Sequence, residues 1–344
     1  MRPDSEAALA AMIRDAREQL AIIGGGTGLW PGEGLGQRLD TTGLAGVSLY
    51  EPEALTLVVQ AGTPLHELRA LLAAEGQMLG FEPPDAPGAT IGGVVGANAS
   101  GPRRVQAGAA RDSLIGVRLV DGHGEIVKNG GRVMKNVTGY DLVKLMAGSR
   151  GRLGVLTQLS LRTFPVPPVR QTLALTALDA PGAVAALTAA LTRPFDVSGA
   201  AWLPGQGALI RLEGLEGSVG IRAAALRRRL AEFGEIVEAA DEVWTRLRPA
   251  PGEGDLWRIV CRPGEAAGIL SGLPAPLMMD WGGALIHLRL PRDELPVLPR
   301  FSGHARRIAG AATMVLPAPD PVARRLESGL RQRFDPRGIF TGVD

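Results

Sequence analysis

The chain is 344 residues long, 45% hydrophobic and 21% charged, with a formal net charge of +2. That length accommodates two domains with cores of their own, and the composition is that of an ordinary globular protein. Near-neutral charge and an aromatic content of 4% exclude a nucleic-acid binder, which needs a basic field or rows of stacking rings.

From the N-terminus, Ser5 is placed to cap a helix over residues 5–20, because Leu9, Met12, Ile13, Ala16 and Leu20 recur at helical spacing. Ala21–Ile23 reads as a short buried strand running into a glycine-rich turn, Gly24-Gly25-Gly26-Thr27-Gly28. Val47 to Gly62 predicts a pair of strands. Thr63-Pro64 then starts a helix in cap-then-proline order, with Leu65, Leu68, Leu71 and Leu72 on its apolar face and Gly76 at its end. A second glycine-rich block follows, Pro87-Gly88-Ala89-Thr90-Ile91-Gly92-Gly93, running on to Asn98-Ala99-Ser100-Gly101. Leu114–Val120, the turn Asp121–Gly124 and Glu125–Lys128 predict a hairpin. A signature, Lys135-Asn136-Val137-Thr138-Gly139-Tyr140-Asp141-Leu142, leads into a helix ending at Gly148, and Val155–Phe164 is another strand. Pro165-Val166-Pro167-Pro168 is the clearest domain boundary.

Beyond that boundary, Gln171–Leu178, Pro181–Leu191, Trp202 and Ala208–Glu213, then Ser218–Phe233 read as strand, helix, strands and helix. A looser second round follows in Trp257–Cys261, Gly264–Leu270, Leu277–Trp281, Ala284–Leu290 and Thr313–Leu316. Two such rounds predict one antiparallel sheet with helices on one face. Asp320-Pro321 starts a last helix carrying Leu326, Leu330 and Phe334, and the tail to Phe340 is apolar enough to pack back on the chain. Cys261 stands alone, which rules out an internal disulfide, an iron–sulfur site or a zinc cluster built by this chain and fits a reducing compartment. Its apolar neighbours make it an inert core thiol. No apolar run reaches the ~20 residues of a transmembrane segment, and the N-terminus lacks the apolar stretch of a signal peptide. The expected location is cytoplasmic.

The glycine blocks carry the chemistry. Without Cβ, glycine lets backbone N–H groups converge and a ligand approach closely, and successive N–H groups form a concave anion site. Two such loops suit a ligand holding a pyrophosphate. Gly24–Gly36 contains no lysine, so a Walker loop is excluded, and neither register fits the Gly-x-Gly-x-x-Gly dinucleotide fingerprint.

The ordered combination of these blocks resembles the FAD-linked oxidases that share the fold of vanillyl-alcohol oxidase and p-cresol methylhydroxylase (PCMH). The resemblance implies that Gly24, Gly25, Gly26, Thr27 and Gly28, with Pro87, Thr90, Ile91, Gly92 and Gly93, hold the FAD pyrophosphate. It implies that Asn98, Ser100 and Gly101, then Gly108, Arg111 and Asp112, and finally Gly154 and Val155, continue the cofactor site. Phe334-Asp335-Pro336-Arg337-Gly338-Ile339-Phe340 is similar to the family's C-terminal signature. The implied architecture is α+β. A PCMH-type FAD-binding domain over 1–167 is followed by a cap domain over 168–318, and 319–344 return to the first.

Within that family the chain is similar to the FAD-binding E-type subunits of bacterial glycolate oxidases, on Lys135–Leu142, Leu145–Ser149 and Asp280-Trp281-Gly282-Gly283. That likeness implies a part in oxidising a small 2-hydroxy acid, glycolate, to glyoxylate. The implied partners are a catalytic flavin subunit and an iron–sulfur subunit, through which the chain would reach the inner membrane peripherally. Two positions depart from the family pattern: Arg150 replaces an acidic residue, and Thr341 an asparagine. The paired-histidine motif of related catalytic subunits is missing, since the chain has only His66, His123, His287 and His304. No metal site and no catalytic base follow from these residues. With no histidine in Gly24–Gly36, FAD is expected to be non-covalent. His66 and His123 read as solvated, and His287 as a strand histidine. Tyr140 and Asp141 read as structural, and Arg103-Arg104 and Arg227–Arg229 as solvated basic faces. An autonomous 2-hydroxy-acid dehydrogenase, an assembly subunit with a vestigial flavin site, and a peptidoglycan-precursor reductase of the same fold remain alternatives.

Overall fold

Ser5 opens the first helix, α1 (Glu6–Asp15), by accepting a hydrogen bond from the Ala8 N–H at 3.2 Å. The helix stops at Asp15 rather than at residue 20 for a reason that no local pattern carries. The Arg337 guanidinium donates to the carbonyls of Ile13, Arg14 and Ala16, the acceptors that a helix end leaves unsatisfied. The computed structural model describes residues 1–131, 140–192 and 194–342. Over the chain two units separate: 1–101 with 108–166 and 319–344, and 102–107 with 167–318.

In the first unit, β1 (Leu20–Ile23) pairs in parallel with β2 (Gln37–Asp40), a strand missed from sequence because only its Leu39 is buried. The expected pair β3 (Val47–Glu51) and β4 (Thr56–Gln60) is antiparallel. α2 (Leu65–Ala74) buries Leu65, Leu68 and Leu72. Its cap differs from expectation: Thr63 Oγ1 donates to the Gln60 carbonyl at 2.7 Å and accepts from the Gly46 N–H at 2.9 Å. Pro64 therefore occupies the cap position without a side-chain bond. β5 (Gln77–Met78), α3 (Ile91–Gly96) and α5 (Ala110–Ser113) follow, with α4 (Arg104–Ala107), which falls in the second unit, between the last two, then the expected hairpin of β6 (Leu114–Val120) and β7 (Ile126–Gly130). α6 (Leu142–Met146), β8 (Val155–Arg162) and β9 (Phe164–Pro165) complete the run. The main sheet is antiparallel in the order β3-β4-β8-β6-β7. Leu65, Leu68 and Leu72 pack with Leu57, Val59, Leu159 and Leu161 of that sheet, while Leu9 and Ile13 of α1 pack with Val120 and Val155.

The second unit holds β10 (Val169–Leu175), α7 (Ala180–Ala190), β11 (Val197–Leu203), β12 (Gly207–Gly214), α8 (Glu216–Leu230), β13 (Val237–Ala239) and β14 (Asp255–Cys261). It continues with α9 (Ala266–Leu270), β15 (Met278–Asp280), β16 (Leu285–Leu290), β17 (Gly303–Ala309) and β18 (Val315–Leu316). These strands form one antiparallel sheet in the order β13-β10-β12-β11-β15-β16-β14-β17-β18. One face packs Leu173, Trp202, Ile210, Trp257 and Ile286 against Ala183, Leu187, Leu226 and Ile269 of α7, α8 and α9, the arrangement that the two strand–helix rounds predict. β17 was missed because its sequence, Gly303-His304-Ala305-Arg306-Arg307, has no apolar alternation, and the strand assigned to Thr313–Leu316 shortens to Val315–Leu316. Residues 102–107 belong to this second unit rather than to the 1–167 segment.

α10 (Pro321–Phe334) starts from Asp320, whose Oδ1 accepts from the N–H groups of Val322 and Ala323. The tail then locks into the first unit. Asp335 accepts from the N–H groups of Ile339 and Phe340 at 3.0 and 2.9 Å, and Phe340 lies fully buried beside Leu20, Leu39 and Leu9. The backbone of β1 ties to the same tail through Leu20 N–H to the Ile339 carbonyl at 2.6 Å and Thr341 N–H to the Leu20 carbonyl at 3.0 Å. Phe340→Ala removes a fully buried ring from this joint. Denaturant unfolding is expected to show a loss of about 3–5 kcal/mol.

Candidate functional site

A cleft of about 220 Å³ in the first unit is lined by both glycine segments. β1 delivers the chain at Ile23 into Gly24–Gly28, where Gly26 has a φ of +69°. The N–H groups of Gly24 through Gly28 donate to no group among the described residues, so five backbone donors are available at one edge of the cleft. The second segment is different. Thr90 caps α3 by accepting from the Gly93 N–H at 3.2 Å, while the Ile91 and Gly92 N–H groups go to the carbonyls of Thr63 and Ala61. Its donors at 91–93 are thus spent on docking α3.

The glycines are required by backbone approach within the protein. A Cβ on Gly25 would overlap the Gly88 carbonyl, one on Gly24 would collide with Thr90 Oγ1, and one on Gly92 would stand 2.6 Å from the Ala61 carbonyl oxygen. They dock the first loop on the second and the second on β4.

A clasp holds the outer part of the first loop. The Arg150 guanidinium donates through Nε to Glu33 Oε1 at 2.6 Å and through Nη2 to Glu33 Oε2 and the Gly28 carbonyl, both at 2.5 Å. It lies 3.5 Å from the centroid of the Trp30 ring, and the Trp30 N–H donates to Glu33 at 2.8 Å. Arg150 itself adopts a φ of +53°. The departure from the family pattern at Arg150 is therefore matched by a carboxylate across the loop, Glu33, which was not singled out from the sequence. Thr341, the other departure, lines the same cleft and donates through Oγ1 to the Leu20 carbonyl at 3.1 Å.

The remaining candidates divide. Gly154 lines the cleft with the first-loop residues, Thr90, Gly92 and Gly93, whereas Ile91 and Val155 are buried in the cores and Pro87 is exposed outside the lining. Asn98, at φ +48°, accepts from the Arg111 N–H at 3.0 Å, and Ser100 from the Ala110 N–H at 3.0 Å. Asp112 accepts from the Ala109 N–H at 2.8 Å, crowding Gly108, and the Gly101 N–H bonds the Phe81 carbonyl. These residues tie α5 to the segment after α3; they are not on the cleft wall. Lys135–Gly139 lie outside the described residues. Tyr140 is exposed, and Asp141 caps α6 by accepting from the Lys144 N–H.

In the second unit, Arg103 is not on a solvated face: it is buried and meets Glu213 at 2.6 Å, a carboxylate also reached by Arg170 at 2.9 Å. Arg104 lies 4.4 Å over the Trp281 ring. Arg227 and Arg229 do lie on the outer side of α8, paired with Glu238 and Glu232. Trp281 is buried, at a φ of +54°. His66 and His123 are exposed as expected. His287 is buried; burial, reinforced by the Arg258 charge, pushes it down to about 3. Burial pushes the Cys261 thiol up to about 11, with Glu265 adding to it, so it is inert at neutral pH.

Residues 1–130 match a family described as an FAD binding domain, and FAD is the cofactor of this chain. Glycolate oxidase subunit GlcE of Escherichia coli (strain K12) is 37% identical over 315 residues, 89% of this chain and 86% of that protein. A D-lactate dehydrogenase of Anaerostipes hadrus is 35% identical over 167 residues, 47% of this chain but 34% of that protein. Glycolate oxidase subunit GlcD of Bacillus subtilis (strain 168) is 38% identical over 126 residues, 36% of this chain and 26% of that protein. A solved structure of alkyldihydroxyacetonephosphate synthase superposes with a TM-score of 0.68 at 13% identity, covering 98% of this chain and 76% of that one, a likeness of fold.

Two outcomes follow from the geometry. Glu33→Gln leaves the Arg150 charge without its counter-ion, and breaking a largely buried pair costs about 3–5 kcal/mol. The loop over residues 24–36 should then become cleavable in limited proteolysis, and Glu33→Arg combined with Arg150→Glu should restore part of the resistance. His287 carries a folded-state pKa below the unfolded value of about 6.5, so its burial contributes stability above that pH and loses it as pH falls toward 3. Each unit of that window costs about 1.4 kcal/mol. His287→Gln should therefore flatten the decline of unfolding free energy between pH 6 and pH 4, relative to the parent, when read by urea titration.

Proposed function

The chain belongs to the family of glycolate oxidase subunit GlcE, and from that premise we propose that it is the FAD-binding subunit of a glycolate oxidase. In this role it takes part in the oxidation of glycolate to glyoxylate and passes electrons through FAD to an iron–sulfur partner, alongside a catalytic flavin subunit. The observation that carries the reading is the 37% identity spread over nearly the full length of both chains. No helix among the described residues is long and apolar enough to cross a membrane. We assign the chain to the cytoplasm, with contact to the inner membrane made by its partners.

The residues present fit FAD. In this proposal the pyrophosphate takes the N–H groups of Gly24–Gly28, a run of donors with no acceptor among the described residues. Arg150 is neutralised by Glu33, so its main contribution is to hold the loop over the cleft. Bound there, FAD supplies the electron sink for oxidation of the CH–OH carbon, and the protein supplies binding and orientation. No histidine lies in the first loop to make a covalent link.

Purified full-length protein tests each part. Acid precipitation is expected to release the flavin into the supernatant; a yellow pellet would show covalent attachment. Gly25→Val, whose side chain would force the two loops apart, should lower bound FAD to near zero without unfolding the second unit. Anaerobic glycolate should bleach the flavin of the isolated chain if substrate reaches it directly. A flavin that bleaches only when the partner subunits are added marks a relay. A flavin reduced by neither route overturns the proposal.

A further inference from the structure

α10 is 14 residues long and buries none of its side chains, and every residue from Pro321 to Leu330 is exposed. A helix of that length is marginal in water by itself, and most helices in proteins are held by packing an apolar face. α10 has such a face. Val322, Leu326 and Leu330 recur every fourth residue, which sets them in one row along the helix. They are 66%, 65% and 38% exposed.

The contacts that hold α10 come from another side of it. Glu327 meets Arg152 at 2.8 Å, Arg331 donates to the Phe340 carbonyl at 3.4 Å, and Phe334 packs on the core of the main sheet. With 3.6 residues per turn, those three residues centre about 100° round the helix from the apolar row. The row is thus turned away from the side that is tied down. Much of the remaining surface of α10 is basic. Arg324, Arg325 and Arg333 are exposed and meet no carboxylate among the described residues. Of the nearby acids, Glu327 is taken by Arg152, and Asp320 caps the helix. Arg325 borders the apolar row, and Arg333 falls in line with it in the last turn.

We propose that α10 docks this chain on an anionic lipid bilayer, with Val322, Leu326 and Leu330 at the acyl boundary and Arg324, Arg325 and Arg333 among the lipid phosphates. An apolar row bordered by guanidiniums is the pattern of a helix that lies in a membrane interface, and the negative charge of the cytoplasmic leaflet complements it. Two other occupants match the face less well. A second copy meeting it through a two-fold contact would set the same patch on both chains together, bringing Arg325 and Arg333 against their own kind. A protein groove typically takes an aromatic anchor at the centre of the contact; the row has none, and Phe334 packs on the core instead. The proposal goes beyond the reading above, in which partners make the membrane contact, and does not depend on glycolate being the substrate.

The test is flotation of the full-length, FAD-loaded chain, without partner subunits, on vesicles of phosphatidylcholine alone or mixed with phosphatidylglycerol. The chain is expected to float with the mixed vesicles, not with phosphatidylcholine alone, and to be released by high salt, which screens exposed charges. Leu326→Glu, and Arg324→Gln combined with Arg325→Gln, should each lower the partition coefficient about tenfold or more. FAD content and melting temperature should stay unchanged, because the altered side chains are exposed and off the cleft wall. Val322→Ser carries the apolar arm if Leu326→Glu misfolds. A parent that does not float, or that floats as well with neither change reducing it, overturns the proposal. So does a parent that ignores vesicles but forms a dimer, or holds its partner subunits, through a contact that Leu326→Glu removes; the face then belongs to a protein. The docking and the activity fail separately. A chain that floats as expected while glycolate never reduces its flavin sinks the glycolate reading alone, and a glycolate-reducible flavin in a chain that never floats sinks the docking alone.

Discussion

At Gly25 the backbone of the first loop lies against the backbone of the second at Gly88, leaving no room for a side chain. Much of the first unit's cleft depends on that contact. Because the two loops meet through main chain, their relative position is set without side chains projecting between them. The second loop is in turn held to Ala61 and Thr63, just after β4, by its own N–H groups at Gly92 and Ile91. What is left over is the row of N–H groups at Gly24–Gly28, in residues that line the cleft and with no acceptor among the described residues. An anion site of the kind proposed at Gly24–Gly28 needs no lysine and no net positive charge, so a formal charge of +2 is compatible with it.

Arginine does the structural work elsewhere, each time by reaching across sequence. Arg337 ends α1 and fixes the tail, Arg150 clasps the first loop to Glu33, and Arg103 meets Glu213 in the second unit. A planar guanidinium with five donors can satisfy several acceptors at once, and it stacks on aromatic faces while doing so. Trp30 and Trp281 both serve as such faces.

The antiparallel sheet of the second unit also divides its labour by face. Alternation along each strand sends Trp257, Ile259, Ile286 and Leu288 to the helices, and the intervening residues to the other side. That other side needs little apolar cover, since only part of it is apolar and the 3₁₀ turn supplies it. Charged and polar side chains are thereby held on a rigid surface with register set to one residue.

Strong local patterns were legible in the sequence. The Ser5 and Asp320 caps, the leucine face of α2, the hairpin of β6 and β7, and the antiparallel sheet with helices on one face all follow from spacing and turn chemistry, which act within a few residues. The glycine blocks likewise marked the cleft, because close backbone approach leaves its trace as missing side chains. What the sequence left open was every feature decided by a partner far along the chain. The end of α1 waits on Arg337, the pairing of β2 on β1, and the compensation of Arg150 on Glu33. Even the contact that leaves no room for a side chain at Gly25 lies far along the chain, at Gly88. β17 was invisible for a related cause: its arginines and histidine break the apolar alternation, and only the register with β14 shows that His304 and Arg306 share a face with Arg258 and His287 while Arg307 lies opposite Trp257. Local propensity determined which segments are helix or strand, and the folded chain alone decided which polar groups meet, because their partners are brought together by packing and not by sequence distance.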